Sequence, residues 1–443
     1  MGIQVTSPTG TVPRTVLGAR NKAKAPGVVQ LWSLGGTAAQ KTEFKLQYSL
    51  GIPLGEVTQV KWCPVGFDLR EGTDSEHGSS PSRIGILACA LTCGKVALYA
   101  MPRPEHVHSR SSQDDLTIEL MPILSLPVYA AEPTCLDWAG GERLLVGTTA
   151  GSLLVWHTGH LLRSLAGGTL DLSVAPPPSH SSHIHETALT AASWLHLPLR
   201  STSISDAPVG TDGYDYYSGL PHFVLTAGLD GSTRIIDIDA LDVSFESQKQ
   251  REPLYATSFL SFLGTWISDR GDNAVRIINT RPAFLGRTHL IGSHQGRCTA
   301  LDSSAFHPLL ASGTADGTLT VLPTLKNVMR FEDRINWPVY RLELNRGNGQ
   351  LRYVDNYTTA TYSHTAAASK GKGKNAAPTG EQGTGTLGSF HPAIRITDVS
   401  WCKNLAANPF LLASGSACGL LRVDLIASDV GGDEGDADVD MNL

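Results

Sequence analysis

Apolar and polar positions change over in short bursts along this chain, and one burst recurs seven times. It is a run of small and apolar residues, a two-residue turn that usually ends in glycine, and then an alternating strand. The copies are Pro26-Gly27-Val28-Val29-Gln30-Leu31-Trp32, Cys93-Gly94-Lys95-Val96-Ala97-Leu98-Tyr99 and Ala150-Gly151-Ser152-Leu153-Leu154-Val155-Trp156. They continue with Asp230-Gly231-Ser232-Thr233-Arg234-Ile235-Ile236 and Asp272-Asn273-Ala274-Val275-Arg276-Ile277-Ile278. The last two are Asp316-Gly317-Thr318-Leu319-Thr320-Val321-Leu322 and Cys418-Gly419-Leu420-Leu421-Arg422-Val423-Asp424. Asp-Gly and Asp-Asn supply the positive φ that a tight hairpin turn needs. Four positions beyond the glycine (asparagine in one copy) every copy is apolar: Leu31, Leu98, Val155, Ile235, Ile277, Val321 and Val423. That column predicts side chains aimed at a neighbouring sheet. The column after it holds Trp32, Tyr99, Trp156, Ile236, Ile278, Leu322 and Asp424.

Two further strands precede six of the copies. The first set begins at Val57, Thr134, Leu189, Tyr255, Cys298 and Ile396, and the second includes Ile86-Leu87-Ala88-Cys89, Leu144-Leu145-Val146-Gly147 and Leu411-Leu412-Ala413-Ser414. Near-continuous apolar runs of this length suit strands covered on both faces. The intervals between turns are 67, 57, 80, 42, 44 and 102 residues, against about 40 to 45 for one four-stranded propeller blade. The excess falls in polar stretches at 68–82, 103–115, 171–182, 200–219 and 345–388, which are expected to be loops. The last interval shows one weak strand-like pair, 339–344 and 351–357, so no eighth unit is counted. The chain is therefore expected to be all-β, a seven-bladed β-propeller over 26–426 with a loop insertion at 345–388. The first blade lacks inner strands upstream of Val28. Either residues ahead of Met1 belong to it, or another segment finishes it, and 1–25 is a flexible or partial first-blade segment. The tail 427–443, with Asp433, Glu434, Asp436, Asp438 and Asp440, is expected to be acidic and solvated.

Composition narrows the function classes. Of 443 residues, 41% are hydrophobic and 17% charged, which is globular and not disordered. The 45 glycines and 25 prolines call for many turns. A net charge of −6 denies the chain a basic footprint for binding nucleic acid on its own. Seven cysteines without a CxxC pair indicate neither a disulfide framework nor a zinc ribbon. No secretory signal and no run of about 20 apolar residues is present, so an intracellular protein without a membrane span is expected.

Candidate chemistry is sparse. His294, 22 residues ahead of Asp316, and His185, ahead of Leu189, sit where a WD repeat carries its structural histidine. His180, His183 and His185, beside Glu186, have a spacing that could hold a metal, but no distant ligand group accompanies them. Arg270-Gly271-Asp272 reads as a blade turn rather than an adhesion tripeptide, and Ser369 to Gly373 fails the phosphate-loop pattern. Arg14, Arg20, Lys22 and Lys24, and the Lys370 to Lys374 run, are basic stretches that could meet phosphates, with solvated loops the preferred reading. Ile278-Asn279-Thr280-Arg281 is a faint version of the Trp-Asp-x-Arg box of ubiquitin-ligase substrate receptors. No catalytic, cofactor or metal residue is assigned, and no residue is assigned to a partner or DNA contact.

The chain resembles the WD-repeat subunit of general transcription factor IIIC, from the lobe that binds the internal B box of RNA polymerase III genes. The resemblance runs through Pro26 to Trp32, Trp62-Cys63-Pro64-Val65-Gly66, Ile84 to Ala88, Gly94 to Tyr99 and Met101-Pro102-Arg103-Pro104-Glu105. It ends with Leu387-Gly388-Ser389-Phe390-His391, Leu411 to Gly415 and Gly419 to Val423. It implies a nuclear, non-catalytic scaffold without cofactor. Its partners would be the other transcription factor IIIC subunits, above all a second propeller and the large B-box-binding subunit, with promoter DNA held within the complex. The alternative is a substrate receptor of a cullin-type ubiquitin ligase, or a chromatin adaptor.

Overall fold

A computed structural model describes residues 2–6, 26–35, 43–64, 83–108, 117–166, 168, 175–195, 221–240, 242–247, 249–250, 252–260, 263–270, 273–280, 285, 287–324, 337–345, 348–355, 390–403 and 408–426. Most of them belong to seven small sheets. The first blade contains β1 (Gly2–Thr6), β2 (Gly27–Gly35) and β3 (Glu43–Ile52). The second contains β4 (Val57–Trp62), β5 (Arg83–Leu91), β6 (Lys95–Pro102) and β8 (Leu124–Pro127). Between β6 and β8 in sequence, β7 (Thr117–Glu119) returns to the first blade and pairs parallel with β3. The third blade is β9 (Pro133–Ala139), β10 (Arg143–Thr148), β11 (Ser152–Trp156) and β12 (His180–His183). The fourth is β13 (Leu189–Trp194), β14 (Phe223–Gly228), β15 (Thr233–Asp237) and β16 (Asp242–Glu246). The fifth is β17 (Thr257–Leu260), β18 (Thr265–Arg270), β19 (Ala274–Ile278) and β20 (Thr288–Ser293). The sixth has five strands, β21 (Cys298–Ser303), β22 (Leu309–Thr314), β23 (Thr318–Pro323), β24 (Trp337–Leu344) and β25 (Leu351–Asp355). The seventh has three, β26 (Ile396–Trp401), β27 (Leu411–Ser416) and β28 (Leu421–Leu425).

Six of the seven expected turns join the second strand of a blade to its third. Gly94, Gly151, Gly231, Gly317 and Gly419 all have positive φ there, as does Asn273, whereas Gly27 of the first copy lies in β2 without positive φ, so that expected turn is not formed at Pro26-Gly27. Strand alternation then divides each blade between two neighbours. In β5, Leu87, Cys89 and Leu91 face the first blade, while Ile86, Ala88 and Ala90 face the third. Six apolar cores result, one between each successive pair from blades one and two to blades six and seven. Among the described residues no such core joins blade seven to blade one. The first strands β4, β9, β13, β17, β21 and β26 pack against one another in that order and surround the axis, so the outermost strand of each blade lies at the rim.

The chain is thus a seven-bladed propeller, and several local details go beyond the sequence reading, among them β12, whose His180 to Ser182 lie in the expected loop at 171–182. Residues 2–6 form a strand on β2, in register from Gly2 opposite Trp32. The weak pair at 339–344 and 351–357 is the β24–β25 hairpin, described as far as Asp355, which adds β25 to blade six, because Leu344, Leu351 and Tyr353 pack on that blade's core. The expected loop at 103–115 opens with the short helix α1 (Pro104–His108), anchored by Val107, which is buried in the core between blades one and two.

Candidate docking surfaces and the polar network of the ring

The polar groups of the inner strands repeat from blade to blade. Threonine is the second residue of five inner strands (Thr58, Thr134, Thr190, Thr299 and Thr397) and the first of β17 (Thr257); the hydroxyls of Thr134 and Thr257 have no hydrogen-bond partner among the described residues. Thr58 donates to Ala90 O in its own blade and to Pro133 O in the next, Thr190 to Ala227 O and Leu254 O, and Thr299 to Gly313 O and Ile396 O. Tryptophan closes the other end. The indole N–H of Trp138 donates to Lys61 O of the preceding blade, that of Trp194 to Asp137 O, and that of Trp401 to Asp302 O. In blade five, where the inner strand lacks tryptophan, Trp266 of the second strand donates to Ser193 O. Asp137 and Asp302 each accept the backbone N–H of the next tryptophan as well, at 2.9 Å. In the sequence these columns are a threonine at the head of each inner apolar run and a tryptophan toward the end of four of them, Trp62, Trp138, Trp194 and Trp401.

Lys61 lies 3.2 Å from Asp137 and feels Asp302 and Asp398 from blades six and seven. Desolvation alone would lower its pKa, but the three carboxylates outweigh it and hold the ammonium above its ordinary value. Desolvation by the surrounding inner strands raises the Asp398 carboxyl, against the pull of Lys61, although the side chain still reaches solvent. The centre of the ring therefore carries more negative than positive groups, which suits it poorly to phosphate.

The histidines flagged in the sequence separate. His185 is fully buried. Its Nδ1–H donates to Asp230 at 3.1 Å, and its Nε2 accepts from Thr226 Oγ1 at 2.9 Å; Ser232 Oγ donates to the same carboxylate at 2.9 Å. His180 and His183 lie instead at opposite ends of β12, and His180 contacts the ring of His157. Among the described residues no group of three His, Cys, Asp or Glu is arranged to hold a metal ion. His294 repeats the structural role in blade six. Its Nε2 meets Ser312 Oγ at 2.8 Å, Asp316 accepts from Thr314 and Thr318, and burial pushes the imidazole down to about 4. Arg270 ends β18 at a turn completed by Asn273, while Gly271 and Asp272 lie outside the described residues. So do Arg14, Arg20, Lys22, Lys24 and Lys370 to Lys374. Ile278 is buried and closes β19, as a core position would.

The His185 cluster gives a pH prediction. Desolvation depresses the imidazole and Asp230 only partly offsets it, so the folded value lies below the ordinary 6.5. The neutral ring's contribution is complete above 6.5 and is lost as pH falls from there toward the folded value. Between pH 7.5 and 5.5 the wild type should lose about 1 kcal/mol more than His185→Gln, as read from urea midpoints. Separately, Asp230→Ala should cost about 2 kcal/mol at pH 7.5, since it leaves buried donors of His185 and Ser232 unpaired.

Both faces of the ring present apolar side chains. The outer-to-inner connections and the glycine turns share one face, which exposes Leu54, Tyr129 and Tyr255, with Tyr129 68% exposed. Tyr255 is held in place there. The Arg297 guanidinium stacks 4.1 Å over its ring, and its backbone N–H donates to the buried Asp269, whose carboxyl burial pushes up to about 7. The opposite face exposes Met121, Phe223, Leu263, Leu285 and Trp337. Exposed aromatic and apolar groups on rigid backbone suit protein contacts.

No family model matches the chain. It is 24% identical over 406 residues to the transcription factor tau subunit sfc6 of Schizosaccharomyces pombe, covering 89% of this chain and 56% of that protein. Over 340 residues it is 33% identical to general transcription factor 3C polypeptide 2 of Pongo abelii and 23% identical to the human protein of that name; each alignment covers 72% of this chain and 36% of the relative. The chain thus spans between about a third and just over half the length of these curated relatives. Among solved structures, the WD40 β-propeller domain of Doa1 aligns with 90% of this chain and 88% of its own, at 13% identity and a TM-score of 0.46. By its seven sheets and its sequence, the chain is a WD-repeat propeller related to the transcription factor IIIC subunits of yeast and primates.

Proposed function

We propose that the chain is a non-catalytic scaffold of a nuclear transcription factor IIIC assembly on RNA polymerase III genes. The observation that carries the reading is the alignment with the tau subunit sfc6, which extends over 89% of the chain. It docks partner subunits, a second propeller and the large B-box-binding subunit among them, and supports promoter recognition within the complex. The physical character of the ring fits this role. Two faces with exposed Tyr129, Tyr255, Met121 and Trp337 offer separate contact areas, and a net charge of −6 favours protein partners over direct phosphate binding.

The test is a native pull-down from nuclei with mass spectrometry, followed by a B-box DNA shift with and without this subunit. Transcription factor IIIC subunits are expected in the pull-down, together with a weakened shift when the chain is removed. A cullin adaptor or histones in their place, or a shift indifferent to the chain, would overturn the proposal.

A further inference from the structure

Three residues ahead of the turn, the second strand of five blades carries alanine or glycine: Ala90, Gly147, Ala227, Gly313 and Gly415. The reason is space. A Cβ on Gly147 would stand 3.0 Å from Leu189 Cβ, and one on Gly313 2.5 Å from Ile396 Cγ2, in each case on the inner strand of the following blade. Blade five has Asp269 at this position, fully buried. Room for it comes from the following blade, where Cys298 stands in place of the larger Leu189 and Ile396 that head β13 and β26. The charge of Asp269 reaches the Cys298 thiol.

The same carboxylate takes over part of the strand ladder. In blades two, three, four, six and seven a bulge shifts the register between inner and second strand at this level. In blade five the ladder has no such shift and stops at Thr257 opposite Ser268. Beyond it, Asp269 Oδ1 accepts the backbone N–H groups of Tyr255 and Ala256, both at 3.1 Å, and Asp269 N–H donates to Ala256 O. Oδ2 shares the Tyr255 N–H at 3.2 Å. A proton on Oδ2 therefore leaves both Oδ1 bonds in place.

A buried cation stands beside this carboxylate. The Arg297 side chain is 5% exposed, and its Nη1 lies 3.7 Å from Glu252 Oε2. Its guanidinium is stacked 4.1 Å over the Tyr255 ring, and among the described residues its Nε and Nη2 have no acceptor. Arg297 thus sits between a half-exposed carboxylate, Glu252, and a buried one, Asp269, whose charge it opposes. Buried N–H groups without acceptors are costly, so an ionised Asp269 gives them a reason to turn.

The groups around Asp269 leave the neutral range to it. Burial pushes the Cys298 thiol up to about 12. His294, on the same connection as Arg297, is pushed down to about 4 by burial, against the pull of Asp316. β17 contributes no titratable side chain. β19 sets Val275 opposite Asp269, and Arg276 alternates to the other face of the sheet. Glu252 and Tyr255 complete the surroundings from the connection ahead of β17. Burial pushes Asp269 itself up to about 7, against its backbone bonds and Arg297. Its folded value lies above its unfolded one, so its contribution to stability is complete in acid and is lost as pH rises through about 7.

We propose that Asp269 is a proton-operated latch on Tyr255, the exposed aromatic at the junction of blades five and six. With a proton on Oδ2, Arg297 stays stacked on Tyr255 and turned toward Glu252. With Asp269 ionised, the two N–H groups of Arg297 that lack acceptors turn inward to the carboxylate, and Tyr255 loses the cation that holds its ring. The turn face then presents a fixed Tyr255 below neutrality and a loosened one above it. This inference stands on the seam between two blades and does not depend on the transcription-factor reading.

The experiment follows the ring signal of Tyr255 by NMR in the full chain carrying ring-labelled tyrosine, the signal being assigned by its disappearance in Tyr255→Phe. Between pH 6 and 8 it should shift with a midpoint of about 7. In Asp269→Asn, whose amide oxygen can still accept from Tyr255 and Ala256, it should stay still. A signal that does not titrate in the wild type overturns the proposal, and so does the same titration in Asp269→Asn. Should that variant not fold, Arg297→Gln decides. It keeps Asp269 and removes the cation that opposes proton uptake, so the midpoint should lie about one pH unit higher. An unchanged midpoint in Arg297→Gln overturns the proposal as well.

Discussion

Gly151→Ala is expected to destabilise the propeller by about 3 kcal/mol or more, while Gly140→Ala costs about 1 kcal/mol. Both glycines have positive φ, +75 and +55, so both substitutions bear the same left-handed backbone penalty. The surroundings differ. A Cβ on Gly140 meets nothing within 4 Å, whereas one on Gly151 would stand 2.0 Å from His185 O and 2.5 Å from Thr187 O. Those atoms belong to the connection between blades three and four, and the backbone N–H groups of Ile184 and His185 both donate to Gly151 O. Pushing that connection away would also move His185 off Asp230 and Thr226. The turn and the buried cluster should therefore fail together. Urea midpoints for the two variants measure the difference, and equal losses would show that the close approach at Gly151 relaxes at little cost.

Much of the ring was legible because its turns carry distinctive chemistry. Asp230-Gly231 and Asp316-Gly317 need positive φ, and the apolar column four residues on is buried at Leu31, Leu98, Val155, Ile235 and Val321 and partly buried at Ile277. Val155 and Val321 are fully buried, and Val423, on the uncovered β28, is only half so. Where identity follows from distant partners, the sequence was mute. Thr117-Ile118-Glu119 pairs parallel with β3 across the whole of blade two, and three residues between polar stretches carry no mark of that. The helix α2 (Thr158–Ala166), which follows β11, was not foreseen either. Both of its ends are fixed by contacts outside itself: Thr158 Oγ1 donates to Gly141 O, and Arg163 in the last turn makes a paired contact with Glu142. The central charges were the least visible. Lys61, Asp137, Asp302 and Asp398 are scattered over 338 positions (398 − 61 + 1), and only ring closure brings their charges into range of one another.

Trp194→Ala should cost about 3–5 kcal/mol, the range for emptying a fully buried aromatic site. Trp194 is 0% exposed and packs among Cys135, Leu145, Val155, Leu189, Val224 and Ile236, at the junction of blades three and four. Its indole N–H donates to Asp137 O, and its backbone N–H, which alanine retains, to Asp137 Oδ2. Trp194→Phe keeps most of the volume and removes only the indole donor, so about 1 kcal/mol is expected for it. The graded pair separates packing from hydrogen bonding at this seam. Because each blade contacts only its two neighbours, the loss should stay local at first. Hydrogen exchange should accelerate in β10, β13 and β14 before it does in β22 or β27, which share no core with Trp194. Uniform acceleration over all blades would mean instead that the ring opens as one cooperative unit, with no seam weaker than another.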